Sequence, residues 1–102
     1  MELTEADLPG EHALGVGDEL VARLDENPTT GYRWRAGDLP AGVTLVDDGF
    51  EAPSPGRPGQ GGVHTFRLRP TVPGDHRVTL ALGRSWGAGA PERTVEFTLH
   101  AG

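Results

Sequence analysis

The chain contains no cysteine, and this absence excludes several structural and chemical solutions at once. Without thiols there are no disulfide bonds, no thiolate metal sites and no cysteine nucleophile. The apolar fraction is only 35%, while glycine and proline contribute 16 and 9 residues, so the core is expected to be thin and the loops plentiful. The fold must therefore be held together by packing alone.

Long apolar runs and an excess of positive charge are also missing. No segment approaches the roughly 18 consecutive apolar residues of a membrane span. The formal net charge of −6 disfavours nucleic acids and anionic membrane surfaces as partners. The acidic start, Met1 to Glu5, lacks the basic and then apolar pattern of a signal peptide. We expect either a cytoplasmic protein or the mature form of an exported one.

A helical pattern of useful length is absent as well. The many glycines and prolines would break a helical bundle, whereas an all-β sandwich or barrel uses such residues in its turns. A chain of 102 residues has the length of one domain. We therefore expect a single all-β domain over residues 1–102.

Alternation of apolar and polar residues recurs along the chain, with turn residues between the alternating stretches. The best examples are Leu20, Ala22 and Leu24, and His64, Phe66 and Leu68. A weaker stretch places Val43, Leu45 and Asp47 on one face. The predicted strands span 2–7, 18–25, 31–36, 43–49, 62–69, 75–83 and 93–100. This pattern is typical of an immunoglobulin-like antiparallel β-sandwich of about seven strands.

Antiparallel succession of these strands divides the connections between two opposite ends. The connections over 8–17, 36–42 and 70–74 are plain turns, and they share one end. The other end carries the first loop (27–31), the second loop (53–62) and the third loop (84–91), which an immunoglobulin fold calls the B–C, D–E and F–G loops. Two of these loops are longer than a sandwich needs, and long loops on a rigid scaffold often bind partners. We predict a three-loop binding surface at this end.

The first loop and the strand after it are the most informative stretch: Asn27, Pro28, Thr29, Thr30, Gly31, Tyr32, Arg33 and Trp34. Proline fixes one φ angle and glycine permits an unusual one, with two short hydroxyl side chains between them. Tyr32 and Trp34 lie at strand spacing, so they share a face and are expected in the core. A stiff loop of this kind suits presentation to a partner.

Three motifs together resemble the chagasin-type inhibitors of papain-like cysteine peptidases. The stretch from Asn27 to Trp34 is similar to the first signature of that family. Gly59, Gln60, Gly61 and Gly62, followed by Phe66, resemble its Gly-x-Gly-Gly loop, and Arg84, Ser85 and Trp86 resemble its Arg-Pro-Trp signature. The resemblance covers residues from about 16 to 99. Ser85 departs from the pattern, since proline there would pre-set φ and lower the ordering cost on binding.

This resemblance implies a reversible inhibitor whose three loops occlude the active-site cleft of a peptidase. Thr29, Thr30 and Gly31 would lie over the catalytic cysteine and histidine, with Gly59 to Gly62 on one side of the cleft. Trp86 would pack on the other side, with Arg84 reaching acidic groups. The implied peptidase-binding residues are Asn27, Pro28, Thr29, Thr30, Gly31, Tyr32, Gly59, Gln60, Gly61, Gly62, Arg84, Ser85 and Trp86. We expect a monomer with a papain-like cysteine peptidase as its partner and with no cofactor.

Other classes of function find less support in the residues. Ser85 with a histidine and an aspartate could form a triad in principle, but no nucleophile elbow surrounds it, and we expect no catalytic site. His64 and His76 lack a third ligand at suitable spacing, so we expect no metal site. A non-inhibitory immunoglobulin-like module that binds another protein through the same loop end is the alternative. Such a module has no particular need of Thr29 and Thr30.

Overall fold

The computed structural model describes residues 1–26, 31–37, 39–51, 62–84 and 92–102. The strands in these ranges are β1 (Glu2–Thr4), β2 (Gly10–Leu14), β3 (Leu20–Glu26), β4 (Tyr32–Ala36), β5 (Val43–Glu51), β6 (Gly62–Pro70), β7 (Gly74–Arg84) and β8 (Arg93–Ala101). Among the described residues, no helix has the length and apolar character that crossing a membrane requires.

The strands form two four-stranded sheets, in the orders β1-β3-β6-β5 and β2-β8-β7-β4. Neighbours among β3 to β8 are antiparallel, whereas β1 runs parallel to β3 and β2 runs parallel to β8. The N-terminal segment thus contributes one edge strand to each sheet. The two sheets pack as an immunoglobulin-like sandwich, which confirms the predicted fold class.

Alternate residues of the strands build the core between the two sheets. In β3, Leu20, Ala22 and Leu24 are fully buried because a β-strand directs successive side chains to opposite faces. The same alternation places Phe66 and Leu68 of β6 in the core. The cluster of buried apolar side chains comprises Leu8, Leu20, Ala22, Leu24, Trp34, Val43, Phe66, Leu68, Val78, Leu80, Val95, Phe97 and Leu99. The inward face predicted from the alternation is confirmed for these central strands.

The N-terminal segment differs from the prediction of one edge strand over 2–7 and a plain turn over 8–17. β1 ends at Thr4, and β2 lies inside the predicted turn. Between the two strands, the fully buried Leu8 donates its backbone N–H to the carbonyl of Thr4 at 3.1 Å. β2 has no buried apolar face, since His12 and Leu14 are only half-buried and its other three residues are exposed. Its extended form therefore depends on pairing with β8 rather than on its own sequence pattern.

A register shift in β5 corrects the predicted inner face of that strand. The shift lies between Leu45 and Asp47, where Val46 is the extra residue. A bulge of this kind reverses which residues of the strand point inward. Asp48, rather than Asp47, consequently pairs with the buried Phe66 and lies on the inner face of the sheet.

Candidate functional site

The strand ends that flank the three predicted loops lie at one end of the sandwich. In one sheet, Glu26 at the end of β3 pairs with Gly62 at the start of β6, and Glu51 pairs with Val63. In the other sheet, Tyr32 pairs with Arg84. We call this end, bounded by Glu26, Tyr32, Glu51, Gly62, Arg84 and Arg93, the loop end. The predicted grouping of the three connections is thus confirmed for the strand ends that carry them.

Trp34 joins the two sheets beneath the first loop. Its backbone N–H donates to Glu26 Oε1 at 2.5 Å, and its indole Nε1–H donates to the Asp25 carbonyl at 2.9 Å. The side chain is buried, as predicted, with 2% of its surface exposed. The Arg93 guanidinium lies over the indole at 5.7 Å from its centroid, in cation–π geometry. These contacts fix the strand after the first loop to the strand before it.

Only part of the predicted binding set falls within the described ranges. Asn27, Pro28, Thr29, Thr30, Gly59, Gln60, Gly61, Ser85 and Trp86 lie outside the described residues. Arg84 is the last residue of β7, and its backbone is paired with Tyr32. Tyr32 itself is half-buried at the start of β4.

Gly31 and Gly62 each have a geometric reason to be glycine. Gly31 has a φ of 79°, in the left-handed region that side chains disfavour, as its place at the end of the first loop predicts. Gly62 is buried in the first position of β6. A Cβ atom there would lie 2.0 Å from the Glu51 carbonyl oxygen and 2.6 Å from Cζ of Phe50. The last glycine of the second motif therefore permits close contact between β5 and β6 at the loop end.

A buried charged network lies at the loop end, and the sequence reasoning did not identify it. Glu26 is only 3% exposed, and its Oε1 lies 2.9 Å from His64 Nδ1. The other ring nitrogen of His64 is hydrogen-bonded to Asp48 Oδ1. The His64 ring also stacks on Phe66, with centroids 4.4 Å apart and planes inclined by 12°. The predicted strand ends at residue 25, although Glu26 continues the inward series of Leu20, Ala22 and Leu24. This spacing is the feature of the sequence that could have predicted a buried Glu26.

The two inward histidines have hydrogen-bonding partners within the fold. His64 is bonded to Glu26 and Asp48, and His76 Nε2 lies 2.9 Å from the Val72 carbonyl oxygen. Within the described part of the chain, no group of three or more histidine, aspartate or glutamate side chains has an arrangement that could hold a metal ion. Both histidines are therefore hydrogen-bonded within the scaffold.

Comparisons with known proteins agree with this geometry. Amoebiasin-1 of Entamoeba histolytica is 30% identical over 99 residues, which cover 97% of this chain and 95% of the relative. The crystal structure of the cysteine protease inhibitor EhICP2 from Entamoeba histolytica is similar with a TM-score of 0.86 and 27% identity, covering 99% of this chain and 94% of that one. The solution structure of Amebosin gives a TM-score of 0.82 and 26% identity, with 99% and 96% covered.

The family assignment follows from the match along the chain. The model of the family described as "Chagasin family peptidase inhibitor I42" matches residues 13–101. This range includes every strand from β3 to β8 and all three loops of the loop end. The chain belongs to the chagasin family of peptidase inhibitors.

Proposed function

We propose that this protein inhibits papain-like cysteine peptidases reversibly by inserting the loop end into the active-site cleft. Inhibition of cysteine proteases, rather than catalysis, is the activity of its family. The observation that carries the cleft-blocking mechanism is the convergence of six strand ends, from both sheets, at the loop end. Three loops that start from one rigid edge can contact one concave surface together.

The proposal gives each loop a separate task. The first loop lies over the catalytic cysteine and histidine, where the hydroxyls of Thr29 and Thr30 satisfy polar groups without presenting a scissile bond. The second loop, through Gly59 to Gly62, brings its backbone close to one wall of the cleft. The third loop packs Trp86 on the opposite wall and directs Arg84 toward acidic groups, since tryptophan and arginine are frequent interface anchors.

The described residues support a pre-organised binding surface. Gly31 holds the exit of the first loop in a conformation that other residues disfavour, and Trp34 ties that exit to β3. Gly62 holds the exit of the second loop against β5. Fixed loop stems lower the ordering cost of association, so more of the contact energy remains as affinity. A standard interface of about 800 Å² on each partner is within reach of three loop tips.

We also propose that the inhibitor acts as a single molecule. Residues 1–102 act as one domain and one molecule, which binds one peptidase and requires neither nucleic acid nor membrane. The net charge of −6 supports the last point. Light scattering of the protein alone and mixed with papain gives the stoichiometry, and a monomer that forms a one-to-one complex is the expected result.

Steady-state inhibition of papain and of a cathepsin-L-like peptidase tests the mechanism. Wild type should inhibit both competitively, and Trp86→Ala should weaken binding by about 2 kcal/mol, as loss of a hot-spot aromatic does. Thr30→Ala should also weaken inhibition because Thr30 is placed over the catalytic pair. Thr44→Ala is the matched control, since Thr44 is an exposed residue near the start of β5 and should leave inhibition unchanged.

The outcomes separate the proposal from its alternative. Weaker inhibition by Thr30→Ala and by Trp86→Ala, with normal folding, supports occlusion by the first and third loops. A folded wild type that fails to inhibit at micromolar concentration contradicts the proposed function and favours a non-inhibitory binding module.

A further inference from the structure

An acidic side chain is buried in the apolar interior directly before the first loop. Glu26 ends β3 on the inward face of that strand, and its side chain is 1% exposed. Burial of a carboxylate is costly unless hydrogen bonds and an opposite charge compensate for the lost hydration. Its position therefore depends on the groups that surround it.

Those groups come from both sheets. The Trp34 backbone N–H of β4 donates to Glu26 Oε1 at 2.5 Å, and His64 Nδ1 of β6 lies 2.9 Å from the same oxygen. His64 Nε2 is hydrogen-bonded to Asp48 of β5, whose side chain is 45% exposed. We name Glu26, His64 and Asp48 the loop-end network. It connects β3, β5 and β6 to one another and, through Trp34, to the opposite sheet.

The network lies among the stems of two loops. Glu26 is the residue before the first loop, and Trp34 is the third residue of β4, the strand that follows that loop. β5 leads into the second loop and β6 leaves it, with Gly62 paired to Glu26. A change in the hydrogen bonds of His64 therefore affects the stems of the first and second loops together.

The hydrogen bonds also fix the number of protons that the network needs. Each ring nitrogen of His64 faces a carboxylate oxygen, and a carboxylate can only accept. A neutral imidazole has one N–H, so it can donate to Glu26 or to Asp48 but not to both. With Glu26 and Asp48 both ionised, the complete set of bonds requires an imidazolium between them, whereas a neutral ring leaves a lone pair facing a carboxylate oxygen.

The other acidic side chains of β3 and β5 near the network lie on the opposite face of the sheet from the His64 ring. Asp25 on β3 and Asp47 and Glu51 on β5 are exposed residues on the outer faces of their strands. From the opposite sheet, the Arg93 guanidinium lies over the Trp34 ring. Among the described residues, the ring of His64 is thus bonded to two carboxylates.

We propose that the loop-end network is a proton-dependent positioning device for the inhibitory surface, in which His64 with both ring nitrogens protonated holds the stems of the first and second loops in one arrangement. The inhibitory part of this inference rests on the proposed function. We therefore expect inhibition to weaken with rising pH, as the complete set of hydrogen bonds around His64 is lost. Glu26, His64 and Asp48 act through the loops and are positioning residues.

Inhibition of papain by wild type and by His64→Gln, measured between about pH 5 and pH 8.5, tests the consequence for binding. Glutamine can donate to one carboxylate but does not titrate in this range, so the ratio of the two inhibition constants cancels the peptidase's own pH dependence. We expect wild type to be about tenfold stronger at the acidic end, the effect of one charge-assisted hydrogen bond, and nearly equal to the variant at the basic end.

His100→Gln is the matched control because His100 also lies between two carboxylates, but near the end of β8 that is remote from the loop end. It should inhibit as wild type does at every pH. Asp48→Asn, at a partly exposed position, is the second test variant if His64→Gln fails to fold. A ratio that stays constant with pH for the network variant overturns the inference.

Nitrogen NMR of the free wild-type protein examines the network without a peptidase. Both ring nitrogens of His64 should be protonated at acidic pH, and the amide signals of Trp34 and Gly31 should titrate with the same midpoint as the ring. Amide signals that ignore the His64 titration contradict the positioning role. If wild type does not inhibit, the proposed function fails, and this titration still decides whether the network controls the loop stems.

Discussion

Gly62 sets the distance between β5 and β6 at the loop end through the absence of a side chain. We predict that Gly62→Ala lowers the free energy of unfolding by about 1–3 kcal/mol, as overpacking of a tight interior does. The added Cβ would lie 2.0 Å from the backbone oxygen of Glu51, which cannot move without displacing β5. Urea denaturation of the variant beside wild type gives the difference.

Gly49 is the matched position for this substitution. It lies in β5, and a Cβ added there meets no atom within 4 Å. Gly49→Ala should be neutral or stabilise by up to about 1 kcal/mol, because alanine reduces the freedom of the unfolded chain. Equal destabilisation by both substitutions would show that loss of glycine, and not contact with Glu51, is responsible.

At the scale of the strand, His100 ties together the three strands at the end remote from the loops. Its Nδ1 lies 2.5 Å from Asp75 Oδ1 on β7, and its Nε2 lies 2.7 Å from Glu11 Oε1 on β2. The hydrogen bond to Asp75, followed by that to Glu11, raises the pKa of His100 above its ordinary 6.5. This bridge helps to hold the parallel strand β2, whose own sequence favours a strand so weakly.

The raised pKa predicts a definite pH dependence of stability. A group that binds its proton more tightly in the folded state contributes fully below its unfolded pKa, and the contribution is lost as pH rises through the folded pKa. Wild type should therefore exceed His100→Gln in unfolding free energy at pH 5, and the gap should close in the alkaline range. Denaturant titrations of both proteins at several pH values check this, and a gap that widens with pH would contradict it.

At the scale of the whole molecule, the alternation of apolar and polar residues predicted those strands that bury every second side chain in the core. β3 and β6 are such strands, and their core residues follow from period-2 alternation. β2 could not be predicted in this way because it pairs with β8 at the other end of the chain. The bulge at Val46 was equally hidden, since only the pairing with β6 shows that the register shifts.

The loop end illustrates the same division between local and distant information. Motif order and strand parity predicted that the three loops share one end, which needed no side-chain contact. The network beneath the loops could not be predicted in this way, because it depends on a contact between Glu26 and His64, which are 38 residues apart in the sequence. A glutamate at an inward position signals a buried charge, but the sequence alone does not name its partner.

If the two sheets form the scaffold and the loops form the binding surface, deletion of residues 54–58 from the second loop should affect binding and leave the fold intact. The connection between Glu51 and Gly62 falls from ten residues to five, which is still long enough for a hairpin. Halving a loop changes its closure entropy by only about 0.6 kcal/mol, so the unfolding free energy should stay within about 1 kcal/mol of wild type. Inhibition of papain should weaken at least tenfold, because the shortened loop draws Gly59, Gln60 and Gly61 back from the cleft.

A second variant with residues 54–58 replaced by an equal number of glycines and serines keeps the length and separates reach from composition. It should retain more inhibition than the deletion, since flexibility adds an ordering cost but the motif still reaches the peptidase. Unchanged inhibition in the deletion would remove the second loop from the proposed interface. If the deletion variant unfolds, residues 54–58 instead contribute to the packing of the two sheets. A connection that serves only binding can be shortened without loss of folding.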